Sequence, residues 1–420
     1  MTKWREAALS DVAKILLSNV DKKIFSNEID VLLCNYMDVY ANRYINSKFI
    51  FSLGSVNKQE LDKFRLNEND VIITKDSETA DDIAVPAVVT ENINSLVCGY
   101  HLAIIRPHSD QLDGFFLMNL IQIPEVKNQF SNHANGITRY GLTKDAIYNI
   151  RLRFPIFLPE QRKIARILST VDAMIEKTEQ AIAKYKAIKQ GMMHDLFTRG
   201  LDENGKLRPR YEDAPDLYKK TELGWVPKAW EVVRCETLFK LTSGKTKSQS
   251  MLAKEIDIYP VYGGNGITGY SSEYLIDYPS IIIGRVGEYC GATYFINYPT
   301  WITDNALYIE KCFSDFDMEY FFHLFHYFDL RKRSSQTGQP LITQEIIGKI
   351  LVQLPKKIEQ EMIVRRLNNI NVMMNKEEKN LNKYRNLKLG LMHDLLTGRK
   401  RVKITPPGLS SCNGGINSPS

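Results

Sequence analysis

The sequence lacks the features that would place it in a membrane or an oxidising compartment. No uninterrupted apolar run approaches the length needed to cross a bilayer, and the opening residues MTKWREAALS contain no apolar stretch typical of a secretory signal. The six cysteines stand singly, without a CxxC pair, which is typical of a reduced protein with incidental thiols. These absences predict a cytoplasmic protein with no membrane partner.

A large excess of one charge is also missing. The chain has 55 Lys and Arg against 49 Asp and Glu, a net charge of +6. This mildly basic balance permits nucleic-acid binding without requiring it. A chain of 420 residues is too long for one ordinary core, so we expect two domains with connecting segments.

Motifs for phosphate or base chemistry are incomplete or absent. Ser243-Gly244-Lys245-Thr246 ends like a phosphate-binding loop, but Phe239 stands where the first glycine of GxxxxGK[ST] is needed. The glycine-rich segment 263–269 is better interpreted as a tight turn. The chain has no Asn/Asp-Pro-Pro-Tyr/Phe motif, which a DNA adenine methyltransferase would need to hold a flipped base.

Three further groups of polar residues fail as catalytic or metal sites. His323 and His326 could share a metal, but no cysteine or third histidine lies nearby in sequence. Glu377-Glu378-Lys379 resembles a nuclease ExK pattern, yet a solvated helix face explains it better. The pairs His194-Asp195 and His393-Asp394 recur at helix ends, which favours docking or capping over acid–base chemistry. We therefore predict no catalytic residue and no metal site.

An internal repeat is the most informative feature of the chain. Residues 160–198 align without a gap to residues 359–397, and 17 of the 39 positions are identical. Both copies begin with Glu-Gln and close with G-x-M-H-D-L-x-T. Each copy follows a proline-containing segment, Phe154–Pro159 or Leu354–Ile358. Because proline interrupts both strands and helices, these segments mark the junctions between domain and helix.

Both copies carry apolar residues at alternating spacings of four and three. A period of 3.5 residues makes a narrow stripe that pairs with another helix, as in a coiled coil. Packing of each helix on its own domain is the alternative, but two matching stripes favour pairing with each other. About 39 residues make a rod of roughly 58 Å, long enough for a spacer. Candidate pairing and partner-binding residues are Ile164, Leu168, Ile175, Tyr185, His194, Ile363, Leu367, Met374, Tyr384 and His393.

Two blocks precede the repeated helices, and we call them block 1 (residues 1–153) and block 2 (residues 227–352). Their openings resemble each other around Trp4 and Trp230, after which the sequences diverge. Short β-branched runs at 70–74, 101–105 and 280–284 predict strands, and 318–326 predicts a buried helix. The remaining expected segments are helix regions 154–200 and 353–398, a linker 201–226 and a flexible tail 399–420.

Each block contains a polar, glycine-bearing loop shortly before its last strand, at 132–140 and at 331–340. Arg, Lys, Asn, Gln and Thr side chains hydrogen-bond to base edges and phosphates. A solvated turn would explain one such loop, whereas two at corresponding positions suggest contact with DNA. Candidate DNA-binding residues are Asn135, Thr138, Arg139, Lys245, Arg285, Arg331, Arg333, Gln336, Thr337 and Gln339.

Taken together, the duplicated helix motif resembles that of the specificity subunits of type I restriction–modification systems. Supporting matches are the segment Glu222–Trp230 that leads into block 2 and Gly136–Arg139 near the end of block 1. The resemblance spans nearly the whole chain, but the tail after about Val402 matches nothing in the family pattern.

The resemblance implies an α+β, pseudo-twofold chain: two mixed α/β target-recognition domains joined by two long helices that form an antiparallel coiled coil. Each block would read one half of a split, asymmetric target in double-stranded DNA. The helices would set the distance between the halves and dock two methyltransferase subunits, and restriction subunits would complete the complex.

The same resemblance implies that this chain is non-catalytic and binds no cofactor. S-adenosylmethionine, ATP and Mg would belong to the partner subunits. The alternatives are an enzyme that acts alone, against which the missing methyltransferase motifs argue, and a coiled-coil adaptor or DNA-binding protein outside a restriction system.

Overall fold

The structure, a computed structural model, describes residues 3–246, 258–334 and 340–404. These residues form two compact units. Unit 1 combines the chain up to Glu179 with the chain from Asn380 onward, and unit 2 is Gln180–Lys379. Within the described ranges, no helix combines the length and apolarity needed to cross a membrane.

Unit 1 contains block 1, which is built around a five-stranded sheet of order β2-β10-β6-β8-β4 and a three-stranded sheet of order β5-β3-β9. Two further antiparallel pairs, β1 with β12 and β7 with β11, join distant parts of the chain. The strands are β1 Trp4–Ala8, β2 Ala13–Leu17, β3 Ile29–Cys34, β4 Tyr44–Ile45, β5 Ser52–Val56, β6 Val71–Thr74, β7 Asp76–Ser77, β8 Pro86–Val89, β9 Leu96–Cys98, β10 Leu102–Pro107, β11 Tyr140–Gly141 and β12 Arg151–Pro155. The helices are α1 Leu9–Val12, α2 Tyr36–Tyr40, α3 Lys58–Phe64, α4 Gly114–Leu120, α5 Pro124–His133, α6 Lys144–Tyr148 and the long α7 Leu158–Thr198, which continues into unit 2.

Unit 2 contains block 2, with a four-stranded sheet of order β16-β22-β19-β20 and a three-stranded sheet of order β18-β17-β21. Its strands are β13 Tyr218–Thr221, β14 Gly224–Pro227, β15 Glu231–Arg234, β16 Phe239–Ser243, β17 Tyr259–Gly263, β18 Gly266–Ser271, β19 Ser280–Gly284, β20 Thr293–Ile296, β21 Trp301–Ile302, β22 Ala306–Cys312 and β23 Leu351–Leu354. Its helices are α8 Cys235–Leu238, α9 Met318–Phe328, α10 Gln344–Gly348 and the long α11 Lys357–Leu396, which continues into unit 1. The strands predicted at 70–74, 101–105 and 280–284 and the buried helix at 318–326 are confirmed.

The two blocks share one plan that their sequences conceal. Strands β2-β10-β6-β8 correspond to β16-β22-β19-β20 in order and direction, and β1·β12 corresponds to β15·β23. The short helices α6 and α10 are capped alike. The Thr143 hydroxyl accepts a hydrogen bond from the N–H of Ala146, and the Thr343 hydroxyl accepts one from the N–H of Ile346, both at 3.2 Å. The duplication therefore extends through the blocks as well as the helices.

The long helices pair antiparallel within each unit. In unit 1 the first half of α7 packs on the last half of α11, where Asp172 pairs with Lys388 and Glu179 pairs with Arg385. In unit 2 the end of α7 shares a core with the start of α11. The predicted stripes are buried or half-buried throughout, from Ile164 to Met192 and from Ile363 to Leu391. The predicted antiparallel helix pair is confirmed.

The repeated Glu-Gln pair explains how each helix is tied to its block. The Gln161 side chain accepts the N–H of Asp113 at 2.8 Å, and the Gln360 side chain accepts the N–H of Asp317 at 2.8 Å. Both aspartates cap the buried helix of their block, α4 or α9. Each glutamine therefore joins a long helix to the start of a core helix.

The glutamate of each pair binds an arginine that follows the other copy of the helix. Glu359 accepts two hydrogen bonds from Arg208, at 2.5 and 2.9 Å, and one from the Trp230 indole at 3.0 Å. Glu160 accepts two from Arg401, at 2.7 and 2.9 Å. The Arg401 guanidinium also lies over the Trp4 ring, 5.6 Å from its centroid. We call these clusters the Glu359 lock and the Glu160 lock.

A glycine allows the backbone to approach the tryptophan beside each of these two clusters. Gly200 and Gly398 have φ of +62° and +79°, a left-handed conformation that favours glycine. A Cβ at Gly200 would lie 2.2 Å from Trp230, and one at Gly398 would lie 3.0 Å from Trp4. The predicted linker and tail are therefore ordered in part: Arg208 and the hairpin β13–β14 lie in the linker, and Arg401 lies in the tail.

The compact units also cut across the predicted helix segments. Each block packs on the first half of its own helix and the last half of the other, so the structure divides both helices between the units. The hydrophobic cores show the reason. Ile164 and Leu168 of α7 and Leu395 of α11 join the core of block 1, while Phe197 and Leu367 join that of block 2.

Candidate nucleic-acid interface

One end of the main sheet of block 1 carries the predicted loop. Asn135, Thr138 and Arg139 are exposed on the segment between α5 and β11. The loop is closed by two backbone hydrogen bonds between Asn135 and Gly141, at 3.0 and 2.9 Å, and β11 then pairs with β7 directly after β6. The chain thus holds three polar side chains beside the end of a central strand.

Arg139 lies among acidic and aromatic groups. It lines an open cavity of about 550 Å³ together with Tyr36, Tyr40 and three carboxylates. The two tyrosine rings stack 5.5 Å apart, and the Tyr40 hydroxyl donates to Asp82 at 2.7 Å. Neighbouring carboxylates offset the charge of Arg139, so this surface offers hydrogen-bond donors and acceptors as well as a cation. Such a mixture suits contact with base edges better than with phosphate alone.

Block 2 places Lys245 and Arg285 at the corresponding end of its sheet. Lys245 follows β16 and is exposed, and its N–H donates to the carbonyl of Ile302 at 2.9 Å. Arg285 follows β19 and is half-buried, with its Nη1 donating to the Ser243 hydroxyl at 3.3 Å. Since Ser243 ends β16, the two predicted residues lie at the same edge of the sheet, at the ends of β16 and β19, which flank β22.

The other predicted residues of block 2 follow α9. Arg331 and Arg333 are exposed in the 3-10 helix Leu330–Arg333. Gln336, Thr337 and Gln339 lie outside the described residues. The chain resumes at Pro340, whose carbonyl accepts the N–H of Gly287 at 3.1 Å, so the predicted loop leads back to the segment after Arg285.

Sequence reasoning missed Lys75, which follows β6 in block 1. It holds the position that Arg285 holds in block 2, and its Nζ donates to the carbonyl of Ser18 at 3.3 Å. Its ammonium also lies 4.5 Å from the centroid of the Tyr100 ring. The signal in the sequence was weak, because a single lysine after a strand is common; only the shared topology marks it.

The histidines singled out earlier lie in ordinary hydrogen-bonded environments. His326 contacts the Thr293 hydroxyl at 2.8 Å, and His323 contacts the Asn368 side chain at 3.4 Å. Burial lowers the pKa of His323 to about 4, with Asn368 acting in the opposite direction. Across the described part of the chain, no three His, Cys, Asp or Glu side chains are grouped to hold a metal ion.

The histidines at the ends of the long helices face different neighbours. His194 contacts the Tyr327 hydroxyl at 3.2 Å, and His393 contacts Arg399. The aspartates beside them pair with cations just beyond the helix end: Asp195 with Arg199 at 3.2 Å and Asp394 with Lys400 at 2.6 Å. Both His-Asp pairs therefore make contacts at the ends of the long helices, and their predicted role in docking or capping stays a prediction.

A charged network in unit 1 joins block 1 to both long helices. Asp172 of α7 accepts hydrogen bonds from Arg43 at 3.1 Å and from the Tyr44 hydroxyl at 2.7 Å, and pairs with Lys388 of α11 at 2.5 Å. Burial, followed by the charge of Arg43, lowers the pKa of Lys388. In α11 the residue equivalent to Asp172 is Asn371, so this network is specific to unit 1.

Comparison with known proteins decides the family. A family model described as type I restriction modification DNA specificity domain matches residues 1–186 and again residues 227–383. The chain belongs to this family. Each match covers one block and most of the long helix that follows it, so the family's domain is the same duplicated module seen in the fold.

Relatives of similar length support the assignment. The chain is 23% identical over 415 residues to the putative type I restriction enzyme MjaX specificity subunit of Methanocaldococcus jannaschii, covering 95% of this chain and 94% of that protein. It is 24% identical over 447 residues to the MjaVIII specificity subunit of the same organism, covering 95% and 93%.

A solved structure shares the fold. The S subunit of a type I restriction–modification system from M. genitalium superposes with a TM-score of 0.62 at 17% identity, covering 96% of this chain and 97% of that one. The predicted resemblance to specificity subunits, and the predicted fold class of two mixed α/β domains with paired long helices, are confirmed. The alternative of an adaptor outside restriction systems is not favoured.

Proposed function

We propose that this member of the DNA specificity family reads a split, asymmetric site in double-stranded DNA, with block 1 reading one half and block 2 the other. The observation that carries the proposal is the shared plan of the two blocks combined with unlike surfaces. In block 1 the polar loop lies beside the end of β6, and in block 2 Pro340 lies beside the segment that follows the corresponding strand β19. Arg139 is a single cation beside Tyr36, Tyr40 and three carboxylates in block 1, whereas Arg331 and Arg333 of block 2 belong to a run of three basic residues, 331–333.

Two blocks that share a fold but differ in surface chemistry are suited to bind two unlike half-sites. Base-edge contacts require side chains whose donors and acceptors match the bases, so different half-sites require different loops. We assign base contacts to Asn135, Thr138 and Arg139 in block 1. In block 2 we assign DNA contacts to Lys245, Arg285, Arg331, Arg333 and, outside the described residues, Gln336, Thr337 and Gln339.

The paired long helices act as the spacer and as the docking surface for methyltransferase subunits in this proposal. The helices have 41 and 40 residues, so each would measure roughly 60 Å along its axis, and rigid spacing fixes half-site separation in DNA-binding dimers. Two methyltransferase subunits and, for cleavage, restriction subunits complete the complex.

Catalysis belongs to the partners in this proposal. The methyltransferase subunits supply S-adenosylmethionine, and the restriction subunits use ATP and Mg. Methylation by the purified chain alone would contradict this division of labour.

Mapping methylated adenines across the genome of the source cell, with and without this gene, tests the function. We expect loss of methylation at one bipartite sequence with a fixed spacer when the gene is removed. An unchanged methylation pattern, or loss at a continuous site, would contradict the proposal.

A further inference from the structure

The ends of the central strands β6 and β19 are built alike in the two units. The residue after each strand is basic, Lys75 in block 1 and Arg285 in block 2. Around it, the backbone makes the same hydrogen bonds to the next strand and to the start of the segment that leads into α6 or α10. The matched pairs are Lys75 N to His101 O at 3.1 Å and Arg285 N to Asn305 O at 3.0 Å, and Leu142 N to Lys75 O at 2.9 Å and Ile342 N to Arg285 O at 2.9 Å.

Both side chains are held against the end of the first strand of the sheet. The Lys75 ammonium donates to the Ser18 carbonyl at 3.3 Å, and the Arg285 guanidinium donates to the Ser243 hydroxyl at 3.3 Å. Ser18 directly follows β2 and Ser243 ends β16, the corresponding strand. The two cations therefore reach the same place by corresponding routes.

Neither cation has a carboxylate partner in the part of the chain that the structure describes. This distinguishes them from the structural arginines of unit 1. Arg106 binds Asp70 at 2.7 Å, and Arg43 binds Asp172 at 3.1 Å. The Nε of Arg285 is buried without an acceptor. Holding a half-buried cation without a counter-charge is unfavourable for folding alone, so an anion from outside the chain is the expected partner.

We propose that Lys75 and Arg285 each bind a phosphate of the DNA backbone, one in each half-site, and so set the register in which the neighbouring loops meet the bases. The inference rests on the proposed function. The two blocks face unlike half-sites, and their loops differ accordingly. A group that recurs at one position in both must contact what the half-sites share, which is the sugar–phosphate backbone.

Salt dependence of binding tests this assignment. The full-length chain, assembled with its methyltransferase subunits, is titrated onto a duplex carrying the mapped target at several salt concentrations. The variants are Lys75→Gln and Arg285→Gln, which keep a hydrogen-bond donor but remove the charge. Matched controls are Lys14→Gln and Lys240→Gln, because these exposed lysines are the second residues of β2 and β16, at the ends of those strands opposite Ser18 and Ser243.

We expect each test variant to bind about eightfold more weakly at about 100 mM salt, with the slope of log K against log salt reduced by about one, because one phosphate contact releases about 0.9 counterion. The loss should be the same on the true target and on a duplex with either half scrambled. The mapped methylation sequence should stay unchanged, and the charge-keeping variants Lys75→Arg and Arg285→Lys should restore the slope.

Three results would overturn the proposal. A wild-type slope in both test variants would exclude phosphate contacts, and an equal loss in the control variants would show a general charge effect. A changed methylation sequence would assign these side chains to bases. Failure of the unmodified complex to prefer the mapped target would instead overturn the proposed function itself.

Discussion

Removing Arg208 should unfold unit 2 locally, because it leaves a carboxylate charge in the core. Glu359 is only 7% exposed and accepts hydrogen bonds from Arg208, from the Trp230 indole and from the N–H of Leu201 at 2.8 Å. Loss of one partner from a buried ion pair costs about 3–5 kcal/mol. Two neutral donors remain in the Arg208→Ala variant, so we expect the lower end, about 3 kcal/mol.

This cost can be measured in two ways. Unit 2 has about 200 residues, for which 1 kcal/mol shifts the melting temperature by about 2–4 °C, so calorimetry should show a decrease of about 6–12 °C. Amide hydrogen exchange should rise about 100-fold in the Glu359 lock and the adjoining core of unit 2. Arg365→Ala is the matched control, because Arg365 lies exposed on the same helix.

The double variant Arg208→Met with Glu359→Gln separates charge burial from lost packing. The glutamine removes the buried charge but keeps a side-chain oxygen that can accept from Trp230 and Leu201, so this variant should recover part of the stability lost in Arg208→Ala. A loss below about 1 kcal/mol in Arg208→Ala, or one equal to that of Arg365→Ala, would refute the reasoning.

Three other perturbations test separate parts of the structure. Arg401→Ala should destabilise unit 1 by about 3 kcal/mol, since Glu160 is 1% exposed. Amide hydrogen exchange that rises only in unit 2 would contradict this prediction. Burial lowers the pKa of His323 to about 4 from 6.5. As pH falls, His323 is therefore protonated in the unfolded chain before it is protonated in the folded chain. Unit 2 should therefore lose up to about 3 kcal/mol of stability between these two values. The variant His323→Gln should lose less stability over this pH range, whereas the control variant His133→Gln should lose as much as the wild type. Equal curves of stability against pH for the wild type and His323→Gln would refute the assignment of this loss to His323. Deleting Thr178–Lys184 together with Glu377–Lys383 removes one heptad from each helix and should shorten the spacer of the methylated target. A folded variant with an unchanged spacer would refute the proposal that the helices set the spacer length.

The sequence predicted the parts of this protein that depend on local pattern. The helices α7 and α11 follow from a repeated 3.5-residue period, and β19 follows from a β-branched run between turn residues. The pairing of the helices with each other also followed, because equal stripes need a partner, whereas their antiparallel direction was implied by the resemblance to specificity subunits. The repeat marks where each block ends.

Features that depend on long-range contacts could not be predicted. Arg401 and Glu160 are 241 positions apart, and nothing in the sequence around either residue points to the other. Arg401, which was assigned to a flexible tail, therefore proved to be part of unit 1. The match between Lys75 and Arg285 was hidden for the same reason. It becomes visible only when β6 and β19 are seen to occupy the same place in their sheets.

Exchange of block 1 tests the central claim most directly. Residues 1–153 are replaced by the same block of a related specificity subunit, and methylated adenines are mapped in cells that carry the exchanged chain. If each block reads one half-site, one half of the methylated sequence will change while the other half and the spacer stay the same. A change in both halves, or in neither, would contradict the account.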